Sequence, residues 1–190
     1  AAKKLEASRR TVRSDVDFVL TFEELAEGLY FEGVDPEYAT AENLAVVAYK
    51  AVLSKLGLPM PGLRISVQAE IPICRGLGSS AALIAAGAAG ANANHGSPLT
   101  RAELLAVCND IEGHPDNLAP AIFGGLVASF VENERPYIAR YSLHKRLRCT
   151  ALIPDFQLST HLARGVLPKE VPYGDAIFNV SRTAVLLRAL

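Results

Sequence analysis

Leu63, Ile65, Val67, Ala69 and Ile71 alternate with Arg64, Ser66, Gln68 and Glu70, the pattern of a half-buried strand. That strand runs directly into Pro72-Ile-Cys-Arg-Gly-Leu-Gly-Ser-Ser-Ala-Ala82, and residues 81–93 then offer almost nothing but alanine and glycine. The chain is therefore committed to a strand, a glycine turn and a helix thin enough to lie very close to a neighbouring element. Gly76 and Gly78 accept positive φ and carry no Cβ, so successive N–H groups can face one anion while the helix N-terminus adds positive dipole charge. Ser79 and Ser80 add hydroxyls for a phosphate oxygen or a bound Mg²⁺.

Two familiar phosphate loops fit less well. A Walker A loop requires a lysine that this stretch does not contain. Gly76-Leu-Gly-Ser-Ser-Ala81 satisfies a minimal dinucleotide pattern, but about 20 residues on, where an acidic ribose ligand belongs, the chain reads His95-Gly-Ser-Pro98 and enters another helix. A plain glycine turn before a small-residue helix remains the bland alternative. Charge bears on the choice of anion. Nineteen basic residues against twenty acidic ones argue against nucleic acid or an anionic membrane, so anion binding is expected to be local. The short basic group His144-Lys-Arg-Leu-Arg148 has no interleaved aromatics and reads as a solvated connection.

A second cluster, Glu112-Gly-His-Pro-Asp-Asn117, gathers an acid, an imidazole, a second acid and an amide in a turn set by Gly113 and Pro115. Glu112 suits Mg²⁺ opposite Ser80, because hard cations take carboxylate, hydroxyl and phosphate oxygens. His114, Asp116 and Asn117 suit orientation of a polar substrate. The competing reading is a solvated helix-end acid followed by an Asx turn.

The remaining elements follow from periodicity. Residues 16–25 read as a strand, with 28–31 returning beside it, and Thr40 reads as the N-cap of a helix carrying Leu44, Ala48, Ala51 and Val52 on one face. Thr100 and Glu103 form a capping-box pair ahead of Leu104, Cys108 and Ile111. Strands are expected over 124–131, 137–141 and 149–153, then a helix capped by Asp175 with Ile177, Val180, Ala184 and Leu187 inward. Residues 1–15 suggest a frayed helix or exposed arm. Cys74, Cys108 and Cys149 make neither a disulfide framework nor a paired zinc motif, and the N-terminus shows no export-type apolar core, so a cytoplasmic location is expected. No membrane span is expected either: the small apolar run 81–91 is shorter than the roughly 20 residues required.

Together, the first loop and the stretch Glu112-Gly-His-Pro-Asp-Asn-Leu-Ala-Pro-Ala-Ile-Phe-Gly-Gly125 closely resemble the homoserine kinases of the GHMP small-molecule kinase superfamily. Ser159-Thr-His-Leu-Ala-Arg-Gly-Val-Leu-Pro168 resembles the segment that bears that family's substrate arginine. The resemblance covers residues 16–190; the family's N-terminal substrate loop and most of its C-terminal domain have no counterpart here. It implies an α+β fold with an N-terminal domain of ribosomal-protein-S5 type over 16–144, the start of a ferredoxin-like domain over 145–190, and an unmatched arm over 1–15. It implies ATP-dependent phosphorylation of the side-chain hydroxyl of L-homoserine to O-phospho-L-homoserine, with Mg²⁺ and a homodimer as the candidate assembly. On this reading Pro72, Arg75, Gly76, Leu77, Gly78, Ser79, Ser80 and Ala81 bind ATP, and Ser80 and Glu112 hold the metal. Asp116 and Asn117 align the hydroxyl, while His114, Asp116, Thr160 and Arg164 bind homoserine. Arg164 is assigned to the α-carboxylate, since guanidinium can bind it bidentately. A catalytically incomplete nucleotide-binding fragment and a sibling kinase with another small alcohol are the alternatives.

Overall fold

The computed structural model describes residues 5–7, 18–71, 76–148, 150–153 and 165–190. A four-stranded sheet in the order β1-β2-β4-β3 forms its base, from β1 (Leu5–Ala7), β2 (Phe18–Leu25), β3 (Leu29–Glu32) and β4 (Gly62–Ala69). β2 runs antiparallel to both β1 and β4. β3 pairs parallel to β4, with Leu29 opposite Leu63 and Glu32 opposite Ser66. It therefore does not return beside β2 as its position after that strand suggested. A parallel pair needs a crossover, and a 3₁₀ turn (Pro36–Tyr38) with helix α1 (Leu44–Lys55) provides it. The arm expected over 1–15 contributes β1.

The N-cap of α1 is Asn43, whose side-chain oxygen accepts from Ala45 N at 3.0 Å; Thr40 instead accepts from Glu42 N within the preceding turn. Helix α2 (Ser79–Asn94) packs on both α1 and the sheet, and its lack of side-chain bulk is what allows the close approach. A Cβ at Gly87 would overlap the Ala45 carbonyl, and one at Gly90 would overlap the Phe22 ring. Leu20, Phe22, Leu63 and Ile65 of the sheet are buried against Tyr49 and Val52 of α1 and Ile84 and Ala88 of α2. The Tyr49 hydroxyl donates to Glu24 Oε1 and accepts from Asn94 Nδ2, so β2, α1 and the far end of α2 meet at one buried phenol.

Helix α3 (Arg101–Glu112) packs on α2, and the short α4 (Leu118–Phe123) contacts both. The capping box at Thr100 and Glu103 forms as read from the sequence. A separate antiparallel hairpin, β5 (Leu126–Glu132) with β6 (Arg135–Tyr141), follows α4 and sets Val127 and Ile138 against the core. Residues 150–153 are not in a strand. The last helix, α5 (Tyr173–Ala189), starts two residues before Asp175, with Pro172 at its N-cap, and buries none of its residues. Ile177, Val180 and Ala184 are thus exposed among the described residues, contrary to the expected inward face.

Candidate functional site

The glycine turn and the 112–117 cluster meet at the first turn of α2. Gly76 and Gly78 have φ of 72° and 75°, in the left-handed region that favours glycine. Gly78 is the N-cap of α2 and no side chain caps that end, so its first N–H groups are available to a ligand. The side chain of Leu77 is exposed between the two glycines.

Two contacts join the motifs. Ser80 Oγ donates to Glu112 Oε1 at 2.7 Å. The Asn117 side chain lies over Gly78, where an added Cβ would be 3.5 Å from Asn117 Cγ. Glu112 is held at the C-terminus of α3 because Gly113, at φ 82°, caps that helix and donates its N–H to Asn109 O at 2.8 Å. The turn then orders itself. His114 Nδ1 donates to Asp116 Oδ1 at 2.7 Å, and the same oxygen accepts from Asn117 N at 2.9 Å. With Nδ1 engaged by the carboxylate, neutral His114 carries its lone pair at Nε2.

Glu112 also bears on Cys108. Burial first, and the Glu112 carboxylate second, push that thiol up to about 12, which leaves it protonated and unreactive. Asn109, one turn before Glu112, is 7% exposed, and its Oδ1 has no hydrogen-bond partner among the described residues. The sequence offered no sign of it, since an asparagine at a helix end usually faces solvent.

Among the described residues no group of three or more His, Cys, Asp or Glu could hold a metal. What the site offers is a hydroxyl and a carboxylate oxygen side by side, beside helix N–H groups. That donor set suits Mg²⁺, which typically takes one or two protein oxygens and completes its shell with phosphate and water. Gly76, Leu77, Gly78, Ser79, Ser80, Ala81, Glu112, His114, Asp116 and Asn117 are all within the described residues. Pro72, Cys74, Arg75, Thr160 and Arg164 lie outside them, as does Cys149.

Residues 43–125 match the family described as GHMP kinases N terminal domain, a span that contains both motifs. Residues 1–55 match the iron only hydrogenase large subunit, C-terminal domain. That segment contains neither cysteine nor histidine, the ligands iron–sulfur clusters use, and its described residues supply β1, β2, β3 and α1. Homoserine kinase of Clostridium botulinum strain Loch Maree is 45% identical over 168 residues, 88% of this chain and 57% of the relative. The chain thus spans a little over half the length of the curated relatives it matches. A protein from Listeria monocytogenes assigned as a homoserine kinase superposes with a TM-score of 0.70 at 26% identity, covering 92% of this chain and 59% of its own. Homoserine kinase from Cytophaga hutchinsonii gives 0.76 at 22% identity over 92% of this chain and 58% of its own, a likeness of fold. Motif, sequence and fold agree: residues 43–125 match the GHMP kinases N terminal domain, and over most of its length the chain is similar to homoserine kinases.

Proposed function

We propose that this chain carries the nucleotide site of an ATP-dependent kinase that phosphorylates the side-chain hydroxyl of L-homoserine to O-phospho-L-homoserine, in the cytoplasm and as a homodimer. Residues 16–144 are its ATP-binding domain and 145–190 begin a second. The carrying observation is the Ser80–Glu112 hydrogen bond at 2.7 Å, which sets a carboxylate against the uncapped N-terminus of α2.

Phosphoryl transfer spreads negative charge over equatorial oxygens, so catalysis rests on positioning and on donors that stand ready. N–H groups from Gly76 to Ala81 bind the phosphates, with Leu77 against the nucleotide and Pro72 and Arg75 completing the loop. Ser80 and Glu112 hold Mg²⁺, which when bound neutralises phosphate charge. Asn117, over Gly78, and Asp116 align the acceptor hydroxyl. His114, tied to Asp116, completes the substrate wall. Thr160 and Arg164 clamp the amino-acid end of homoserine, an assignment supported by the family resemblance alone.

Coupled ADP release, with ATP and Mg²⁺ and with L-homoserine present or omitted, tests this reading. Homoserine-dependent release is expected. Binding of ATP without release would confine the chain to a nucleotide-binding role, and release driven equally by mevalonate would move it to a sibling kinase.

A further inference from the structure

The near-neutral total charge conceals a strong separation. From Phe18 to Tyr49 the sequence holds seven carboxylates and no lysine or arginine, whereas from Arg135 to Arg148 it holds five cations and no carboxylate. Glu27, Glu32, Asp35 and Glu37 of the first segment are exposed around β3 and the 3₁₀ turn. Tyr30, 53% exposed, and Tyr38, 46% exposed, lie among them. A neighbouring cation, Arg64, is engaged with Glu23 at 2.7 Å and lies over the Tyr30 ring.

The basic segment has a similar centre of opposite sign. Phe130 and Tyr137 face each other across the β5–β6 hairpin with rings stacked at 5.3 Å, and both are exposed on the side turned away from Val127 and Ile138. Arg135 shares that side, opposite Glu132 in register, and Lys145, Arg146 and Arg148 follow β6. None of these cations is in an ion pair among the described residues. The hairpin packs on α3 and α4, neither of which packs on β3. Among the described residues no ion pair joins the two charged surfaces within one chain.

We propose that they do so between two copies, the stacked-aromatic hairpin of one docking on the acidic β3 edge of the other. Because each copy carries both surfaces, a two-fold arrangement makes the contact twice and closes. Aromatic centres with arginine are the composition of interface cores, and opposed charge sets register and rate of encounter. The inference rests on the homodimer reading and names its interface.

Sedimentation velocity on this chain tests it, at about 50 mM and about 500 mM salt, conditions that differ about threefold in screening length. A dimer is expected whose dissociation constant rises about tenfold or more at high salt. Lys145→Glu with Arg146→Glu, and separately Glu27→Lys with Glu37→Lys, should each yield monomer, while an equimolar mixture of the two should dimerise. A dimer indifferent to salt and to both reversals overturns this interface and leaves the homodimer standing. A monomer at low salt overturns both. Retention of an RNA oligomer by a chain that stays monomeric assigns the basic surface to a polyanion and overturns the interface. The salt series on the unaltered chain decides the outcome even if a reversed variant fails to fold.

Discussion

Gly78 shows how one residue serves both the fold and the site. Its φ of 75° is unfavourable for any residue with a Cβ, yet an added Cβ would meet Asn117 only at ordinary contact distance. Gly78→Ala should therefore act through backbone strain rather than collision, destabilising by about 1–2 kcal/mol. Urea unfolding measures that change, and a loss of several kcal/mol would mean that the space around Gly78 is tighter than described. At this scale the grouping of the candidate site was legible in the sequence. Two glycines and two serines before a run of alanine can do few things, and Glu112 to Asn117 is too rich in polar groups for an ordinary turn. Donor chemistry set Glu112 opposite Ser80, but the direct contacts themselves were not legible. The Ser80–Glu112 bond and the seat of Asn117 over Gly78 depend on α2 and α3 lying side by side, and no local pattern encodes that distance.

At the scale of elements, α2 is defined by what it lacks. An exposed helical Gly→Ala change gains roughly 1 kcal/mol from lower backbone entropy in the unfolded chain. At Gly87 the gain is outweighed, because the new methyl would overlap the Ala45 carbonyl and force α1 and α2 apart. Gly87→Ala should be destabilising by about 1–3 kcal/mol, as for overpacked cores, and a stabilised variant would contradict the close approach. The capping box of α3 carries a pH signature. Hydrogen bonds from the Thr100 N–H and hydroxyl hold the Glu103 carboxyl below its ordinary value of 4.5. A carboxyl lowered by folding contributes stability above its unfolded value and loses it as pH falls through the folded one. Thr100→Ala should thus lower the thermal midpoint at pH 7 and flatten its decline below about pH 4.5; an unchanged acid profile would count against the box.

The same scale shows where reading from sequence failed. Thr40 and Asn43 are both good caps, and Asn43 prevails because the 3₁₀ turn places Tyr38 O within 2.9 Å of its Nδ2. β3 follows β2 closely enough to pair with it as a hairpin, but α1 makes the crossover that a parallel partner requires, and β3 pairs with β4.

Across the whole molecule, the core is one continuous cluster from the sheet through α1 and α2 to α3 and α4, and the candidate site lies at its edge, where α2 begins and α3 ends. Helix α5 stands apart from that cluster. Its amphipathic sequence was legible, but which surface its apolar side meets was not, because amphipathicity records a preference and not a partner. On the proposed function, a carboxylate at the end of α3 and an uncapped helix start on α2 together bind a metal-complexed nucleotide. Calorimetric titration of this chain with ATP and Mg²⁺, set against folded Glu112→Gln, measures that directly. Saturable one-to-one binding is expected, weakened roughly tenfold or more by the substitution, the equivalent of about 1.4 kcal/mol for one lost charge-assisted contact. Absence of binding, or equal affinity in the two proteins, would contradict it.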